Sequence, residues 1–191
     1  MSIHVLGFSG SLRRASYNSA ALRAAAELVP EGMTMETFDL SPIPMYNEDL
    51  RSKGVPEPVR HFRERITAAD ALLIATPEYN YSIPGGLKNA LDWASRPDAN
   101  GFLPLDGKPV AIMGASPGNF GTVRAQMHLR HVFVYTNSPV VNKPEVLIFQ
   151  CKNKFDEKLR LKDETTRGFI RDLLVSLAEL TRKVQATPAH V

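Results

Sequence analysis

Cysteine is nearly absent from this chain: 191 residues contain one, Cys151. A lone thiol excludes an intrachain disulfide and any cysteine-based metal cluster, and it suits a reducing compartment. Its plain reading is a semi-buried small residue. Long apolar runs are also missing. No stretch approaches the ~18 residues of a membrane helix, and the amino terminus carries no basic-then-apolar pattern, so a cytoplasmic protein with no membrane partner is expected. Neither sign of charge dominates: 23 Lys and Arg stand against 20 Asp and Glu, a formal net charge of +3 with a pI near 9.1. The basic residues are dispersed rather than gathered into a patch, which argues against nucleic acid and suits small anions. His128 and His131 lie three apart on a predicted helix without a third ligand, so no metal is expected.

Several nucleotide and nucleophile signatures are missing as well. No G-x-x-x-x-G-K-[ST] string occurs, which excludes a P-loop. The dinucleotide fingerprint needs three spaced glycines, whereas only Gly7 and Gly10 are present, so Asp39 is not read as a ribose ligand. The nucleophile elbow G-x-S-x-G fails because Gly7-Phe8-Ser9-Gly10 runs on into Ser11. No catalytic nucleophile is assigned. What is present is ordinary for a soluble globular protein: 43% hydrophobic and 23% charged residues, in a length that favours one domain over residues 1–191.

The chain alternates strand and helix, which predicts an α/β fold with a parallel sheet covered on both faces. Its centre is the stretch from Ala71 to Trp93. Ala71 to Ala75 is an apolar run without alternation, the mark of a central parallel strand. Thr76-Pro77 ends it, because proline cannot donate to a sheet ladder. Pro84 then opens a helix carried by Leu87, Ala90, Leu91 and Ala94. The other expected strands are Ile3 to Phe8, Met33 to Leu40, Val110 to Ala115 and an interrupted Val140 to Phe149. Helices are expected from Asn18 to Val29, around Val59, Phe62, Ile66 and Ala69, from Asn119 to Phe133, and through Phe169 to Leu180. Ser41 to Pro58, with four prolines, is an excursion whose Ile43, Met45 and Tyr46 need covering.

Three strands end in small polar loops: Ser9 to Asn18, Thr76 to Ser82, and Ser116 to Gly121. In the flavodoxin-like order 2-1-3-4-5 these strands are neighbours, and their loops converge at the switch point where α/β sheets bind ligands. In the first loop, the hydroxyls of Ser11 and Ser16, the amide of Asn18 and the guanidinium of Arg13 are donors suited to a phosphate dianion at a helix amino terminus. An ordinary turn with Asn18 as a helix cap is equally compatible with that loop alone. Glu78 reads better as a structural or ligand-bordering group than as a general base.

Gly10-Ser11-Leu12-Arg13 with Ser16 and Asn18, followed by Thr76-Pro77-Glu78-Tyr79-Asn80-Tyr81-Ser82, Pro84-Gly85 and Leu87-Lys88-Asn89-Ala90-Leu91-Asp92-Trp93, resembles the NAD(P)H-dependent FMN reductase family, in its quinone and chromate reductase branch. The resemblance runs from the first strand to Asn142-Lys143-Pro144-Glu145. It implies a flavodoxin-like three-layer sandwich with a five-stranded parallel sheet, a tightly held FMN, NADPH or NADH as donor, and a homodimer or homotetramer. It also implies that Ser11, Arg13, Ser16, Tyr17 and Asn18 hold the phosphate. Pro77, Glu78, Tyr79, Asn80 and Tyr81 would border the isoalloxazine, with Ser116 and Gly118 at its pyrimidine edge. Arg124 and Glu145 become candidates for pairing across a second interface. A flavin carries its own redox activity, so the protein need only bind and orient it. The acceptors implied are quinones, azo compounds, chromate and free flavin, reached in turn with the nicotinamide at one open flavin face. The alternative, a flavodoxin-type electron carrier, belongs to an acidic class, and the basic pI argues against it.

Overall fold

The computed structural model describes residues 2–187. Five strands, β1 (Ile3–Ser9), β2 (Met33–Phe38), β3 (Ala71–Ala75), β4 (Val110–Ala115) and β5 (Val146–Ile148), form one sheet in the order β2-β1-β3-β4-β5. Every pairing is parallel. The expected architecture is borne out, and its cause is visible in burial: all residues of β3 and β4 are buried, as strands covered on both faces must be.

The chain leaves β1 in one direction through α1 (Tyr17–Glu27) to β2, then crosses back over β1 through α2 (Glu48–Ser52) and α3 (Glu57–Ala68) to β3. It continues through α4 (Gly85–Ala94), β4, α5 (Val123–Tyr135) and β5 to α6 (Glu164–Ala186). Two cores result. α1 and α6 cover one face through Leu22, Ala25, Ile170, Leu173 and Leu177. The other face carries α3, α4 and α5, with Phe62, Ile66, Leu87, Leu91, Leu129 and Phe133 buried against it. The reversal of direction at β1 opens the crevice between β1 and β3 at their carboxyl ends.

Several boundaries differ from expectation, each for a physical reason. β5 is only Val146–Ile148, with Val140 making one isolated bridge to Val110, because Asn142-Lys143-Pro144 interrupts the run and proline brings no N–H. α5 begins at Val123 rather than Asn119. Gly121 (φ 52°) and Thr122 (φ 69°) are left-handed, a conformation that cannot continue into an α-helix on its amino-terminal side. α4 starts at Gly85, with Pro84 extended just before it. The excursion contains the short helix α2, capped by the Asn47 side chain accepting from the Asp49 N–H. It is fastened to α4: Asn89 Nδ2 and Trp93 Nε1 both donate to the Pro44 carbonyl, at 2.9 and 2.8 Å. Tyr46 packs edge-on against Trp93, whereas Met45 stays exposed.

Candidate functional site

The loops after β1, β3 and β4 enclose a cavity of about 290 Å3. It is lined by Ser11, Arg13, Ser16, Tyr17 and Asn18 from the first loop, Pro77, Glu78 and Tyr79 from the second, and Ala115, Ser116 and Pro117 from the third. Its volume is at the lower end of ligand sites. Of the predicted site residues, Asn80, Tyr81 and Gly118 do not line it. Ala115 and Pro117 do, without having been singled out in the sequence.

The first loop is built as a set of hydrogen-bond donors. Ser16 caps α1 by accepting from the N–H groups of Asn18 and Ser19, both at 3.2 Å, which leaves its own hydroxyl proton available. Among the described residues, the backbone N–H groups of residues 12–15 have no acceptor. Arg13 is exposed and has no carboxylate partner there; its guanidinium carbon lies 5.8 Å from the Tyr17 ring centre. Free N–H groups at a helix start, two hydroxyls and an unpaired guanidinium are what a phosphate ester recruits.

Asn18 has a structural role that its residue type alone did not suggest. Its side chain is 3% exposed and pairs twice with one residue of β4: Nδ2 donates to the Ala115 carbonyl at 3.0 Å and Oδ1 accepts from the Ala115 N–H at 2.8 Å. The β3 register with β4 ends at Ala75 with Met113, so the amide satisfies a peptide that the sheet leaves unpaired. One of the two Nδ2 hydrogens is thereby engaged with β4, while Asn18 still lines the cavity. It is not the cap, which is Ser16.

The second loop is a two-residue hairpin. Tyr79 and Ser82 exchange N–H to carbonyl bonds of 2.9 and 3.0 Å, around Asn80 (φ 51°) and Tyr81 (φ 65°). Two successive left-handed residues suit asparagine but strain tyrosine. Tyr81 is held by Arg124, whose guanidinium carbon lies 3.8 Å from its ring centre and 4.4 Å from that of Phe120. Arg124, a candidate for pairing across an interface, is bound within its own chain by Glu78. The Glu78 carboxylate accepts from Arg124 Nε at 2.7 Å, from the Arg124 N–H at 3.0 Å and from the Ala125 N–H at 3.3 Å.

Those N–H groups occupy the second and third positions of α5, the pair that an ordinary N-cap side chain satisfies. Left-handed Thr122 makes no side-chain cap. Glu78, supplied from another loop, does so, and its charge also meets the positive end of the helix. The structural reading of Glu78 is therefore the one that the geometry supports. His128 Nδ1 lies 2.9 Å from Ser82 Oγ, a further tie between α5 and the hairpin. Among the described residues, no group of three or more His, Cys, Asp or Glu side chains is placed to hold a metal ion.

The third loop is closed from beneath. Ser116 Oγ accepts from the Gly118 N–H, and the carbonyls of Gly118 and Ser116 accept from the N–H groups of Gln150 and Cys151. Cys151 is buried, deeper than expected, and burial pushes its thiol up to about 11. It is a packing residue at neutral pH, since the reactive species is the thiolate.

Comparison with known proteins adds to this geometry. The model of the NADPH-dependent FMN reductase family matches residues 3–152. An NAD(P)H-dependent FMN reductase of Pseudomonas aeruginosa is 55% identical over 183 residues, covering 96% of this chain and 97% of that protein. An NADPH:quinone oxidoreductase of Arabidopsis thaliana is 43% identical over 189 residues, covering 96% and 94%. Among solved structures, FerB of Paracoccus denitrificans, a flavoenzyme NAD(P)H:(acceptor) oxidoreductase, superposes with a TM-score of 0.84 at 32% identity, over 95% of this chain and 98% of its own.

Proposed function

Because this chain belongs to the NADPH-dependent FMN reductase family, and is thus an FMN-dependent oxidoreductase, we propose that it uses NADH or NADPH to reduce quinones, and with them azo compounds, chromate and free flavin. The observation that carries the reading is the donor set of the first loop, whose chemistry suits the phosphate of FMN. Ser11, Arg13, Ser16 and the free N–H groups of residues 12–15 would hold that phosphate. Pro77 and Tyr79 would border the ring system, and Ser116 with Pro117 its far edge. When bound, FMN supplies the redox chemistry, accepting hydride from a nicotinamide and passing two electrons onward. The protein binds it, orients it, and leaves one approach open beside Tyr79 and Tyr81, which are 50% and 67% exposed. Glu78 keeps that approach in shape by tying the hairpin to α5.

One open approach admits donor and acceptor in turn. Initial-rate plots against NADPH at several benzoquinone concentrations are expected to be parallel, and intersecting lines would exclude the shared approach. Enzymatic action is favoured over a carrier role by the basic charge, and turnover of NADPH with a quinone and no added protein distinguishes the two. A cytoplasmic setting belongs to the same reading.

Assembly is the second part of the proposal. Met45 on the excursion and Val134 and Tyr135 on α5 are each more than 70% exposed, an apolar surface that a homodimer would cover, with further pairing to a tetramer. Light scattering on the FMN-loaded protein at micromolar concentration is expected to give twice or four times the mass of the 21.1 kDa chain; a monomer there removes the idea.

A further inference from the structure

The largest cavity among the candidates described is not at the flavin site. About 770 Å3 of space lies between α3 and the segment 97–104 that follows α4, and none of the three site loops contributes to it. Its walls are mostly apolar, including Val55, Ala68, Pro97, Phe102 and Pro104. Five charged residues also line it, Arg51, Arg60, Arg63, Glu64 and Asp98, and of these Arg63 alone is buried. Arg63, on α3, is 9% exposed. Its one hydrogen bond is from Nη1 to the Trp93 carbonyl at 3.4 Å, at the edge of hydrogen-bond range, although a guanidinium has five N–H donors.

The two carboxylates that line the same cavity, Asp98 and Glu64, make no hydrogen bond or ion pair with Arg63. Asp98 accepts from the N–H groups of Asn100 and Phe102 at 2.8 and 2.9 Å, and Glu64 pairs with Arg60 at 2.7 Å. No ion pair reaches Arg63 among the described residues. Burial accordingly pushes its guanidinium below the ordinary arginine range, with Asp98 opposing the shift. Its unpaired nitrogens are not sealed from solvent, so an anion entering the cavity would meet guanidinium donors that no protein acceptor occupies.

We propose that this cavity is a second ligand site, for a small amphipathic monoanion, a carboxylate or sulfonate on an aryl or short acyl body. The acidic group pairs with Arg63, in the bidentate manner that a guanidinium favours, and the apolar body lies against Phe102 and the prolines. The volume suits a ligand of that size. The site is separate from the flavin and does not depend on the function proposed above.

The test uses the FMN-loaded protein and 8-anilinonaphthalene-1-sulfonate as probe. Saturable fluorescence with one probe per chain is expected, displaced by octanoate and at least tenfold less well by 1-octanol. Arg63→Gln should weaken the probe about tenfold or more, as loss of a charge-assisted contact implies, while FMN content and quinone turnover stay unchanged. Should Arg63→Gln fail to fold, Phe102→Asp on the half-exposed wall places a negative charge in the cavity and should abolish binding alone. Four results would overturn the proposal. They are absence of saturable binding, equal displacement by octanol and octanoate, displacement by NADPH or quinone, and full probe affinity in a folded Arg63→Gln or Phe102→Asp protein. A second copy of the chain covering the cavity would give the first of these.

Discussion

Arg13→Ala is expected to weaken FMN binding roughly 10- to 150-fold, the equivalent of about 1.5–3 kcal/mol for a charge-assisted contact. Riboflavin, which lacks the phosphate, should bind almost alike to both proteins. The reasoning is that Arg13 has little structural duty to lose: it is exposed, makes no ion pair among the described residues, has a distant contact with the Tyr17 ring, and stands beside a run of backbone N–H groups with no acceptor. Thermal stability without flavin should therefore be unchanged. With saturating FMN it should fall, because a ligand that binds only the native state stabilises it in proportion to the logarithm of its affinity. Fluorescence titration of the apoprotein measures both flavins. Equal FMN affinity in the two proteins, or an equal loss for riboflavin, would disprove the phosphate cradle.

Gly114→Ala is expected to lower stability by about 3 kcal/mol or more, the upper range for forcing extra volume into a packed core. For a chain of this size that is a fall in melting temperature of roughly 6–12 °C. A Cβ at Gly114 would stand 1.9 Å from Thr122 Oγ1 and 2.4 Å from the Thr76 carbonyl oxygen. Thr122 is fully buried and its hydroxyl accepts from Gln126 Nε2. The Thr76 carbonyl belongs to the backbone at the end of β3 and cannot rotate away. Relief requires β4 to move from β3 or the start of α5 to move from β4, and either displaces the loops around the site. Adding Thr122→Ala removes the nearer clash and leaves the second, so the double variant should regain only part of the loss. Calorimetry of the four proteins in this cycle checks the prediction. A Gly114→Ala protein as stable as its parent would mean that the close approach of these elements is not required.

The amount that was legible in the sequence follows from how local each cause is. An unbroken apolar run at Ala71 to Ala75, ended by Thr76-Pro77, reads as a covered parallel strand because the pattern and the stop lie within a few residues of each other. Helical spacing in Leu87, Ala90, Leu91 and Ala94 is equally local. The alternation of such elements is enough for the parallel sheet, and the loops after the first, third and fourth strands are then the place to look for a ligand.

Boundaries were less legible. The start of α5 depends on Gly121 and Thr122 adopting left-handed backbone. At Gly121 this goes with contact against Leu147, which an added Cβ would approach within 2.8 Å. That contact comes from a strand more than twenty residues further along the chain, and no propensity of Asn119 or Phe120 reports it.

By itself the sequence determined the fold class, the order of elements, the family, and the three loops that meet at the sheet's carboxyl edge. These rest on periodicity, on proline and glycine punctuation, and on short motifs, all of which act over a few residues. Only the tertiary structure decided what individual polar side chains do once they are there. Asn18 is spent on Ala115, 97 positions away, and Glu78 on the start of α5, 46 positions away. Arg63 is left nearly unpartnered in a cavity whose walls come from separate segments. The physical reason is common to all three: whether a polar group taken from water finds a partner, and which one, depends on what the fold brings beside it, a property of the packing rather than of neighbouring residues.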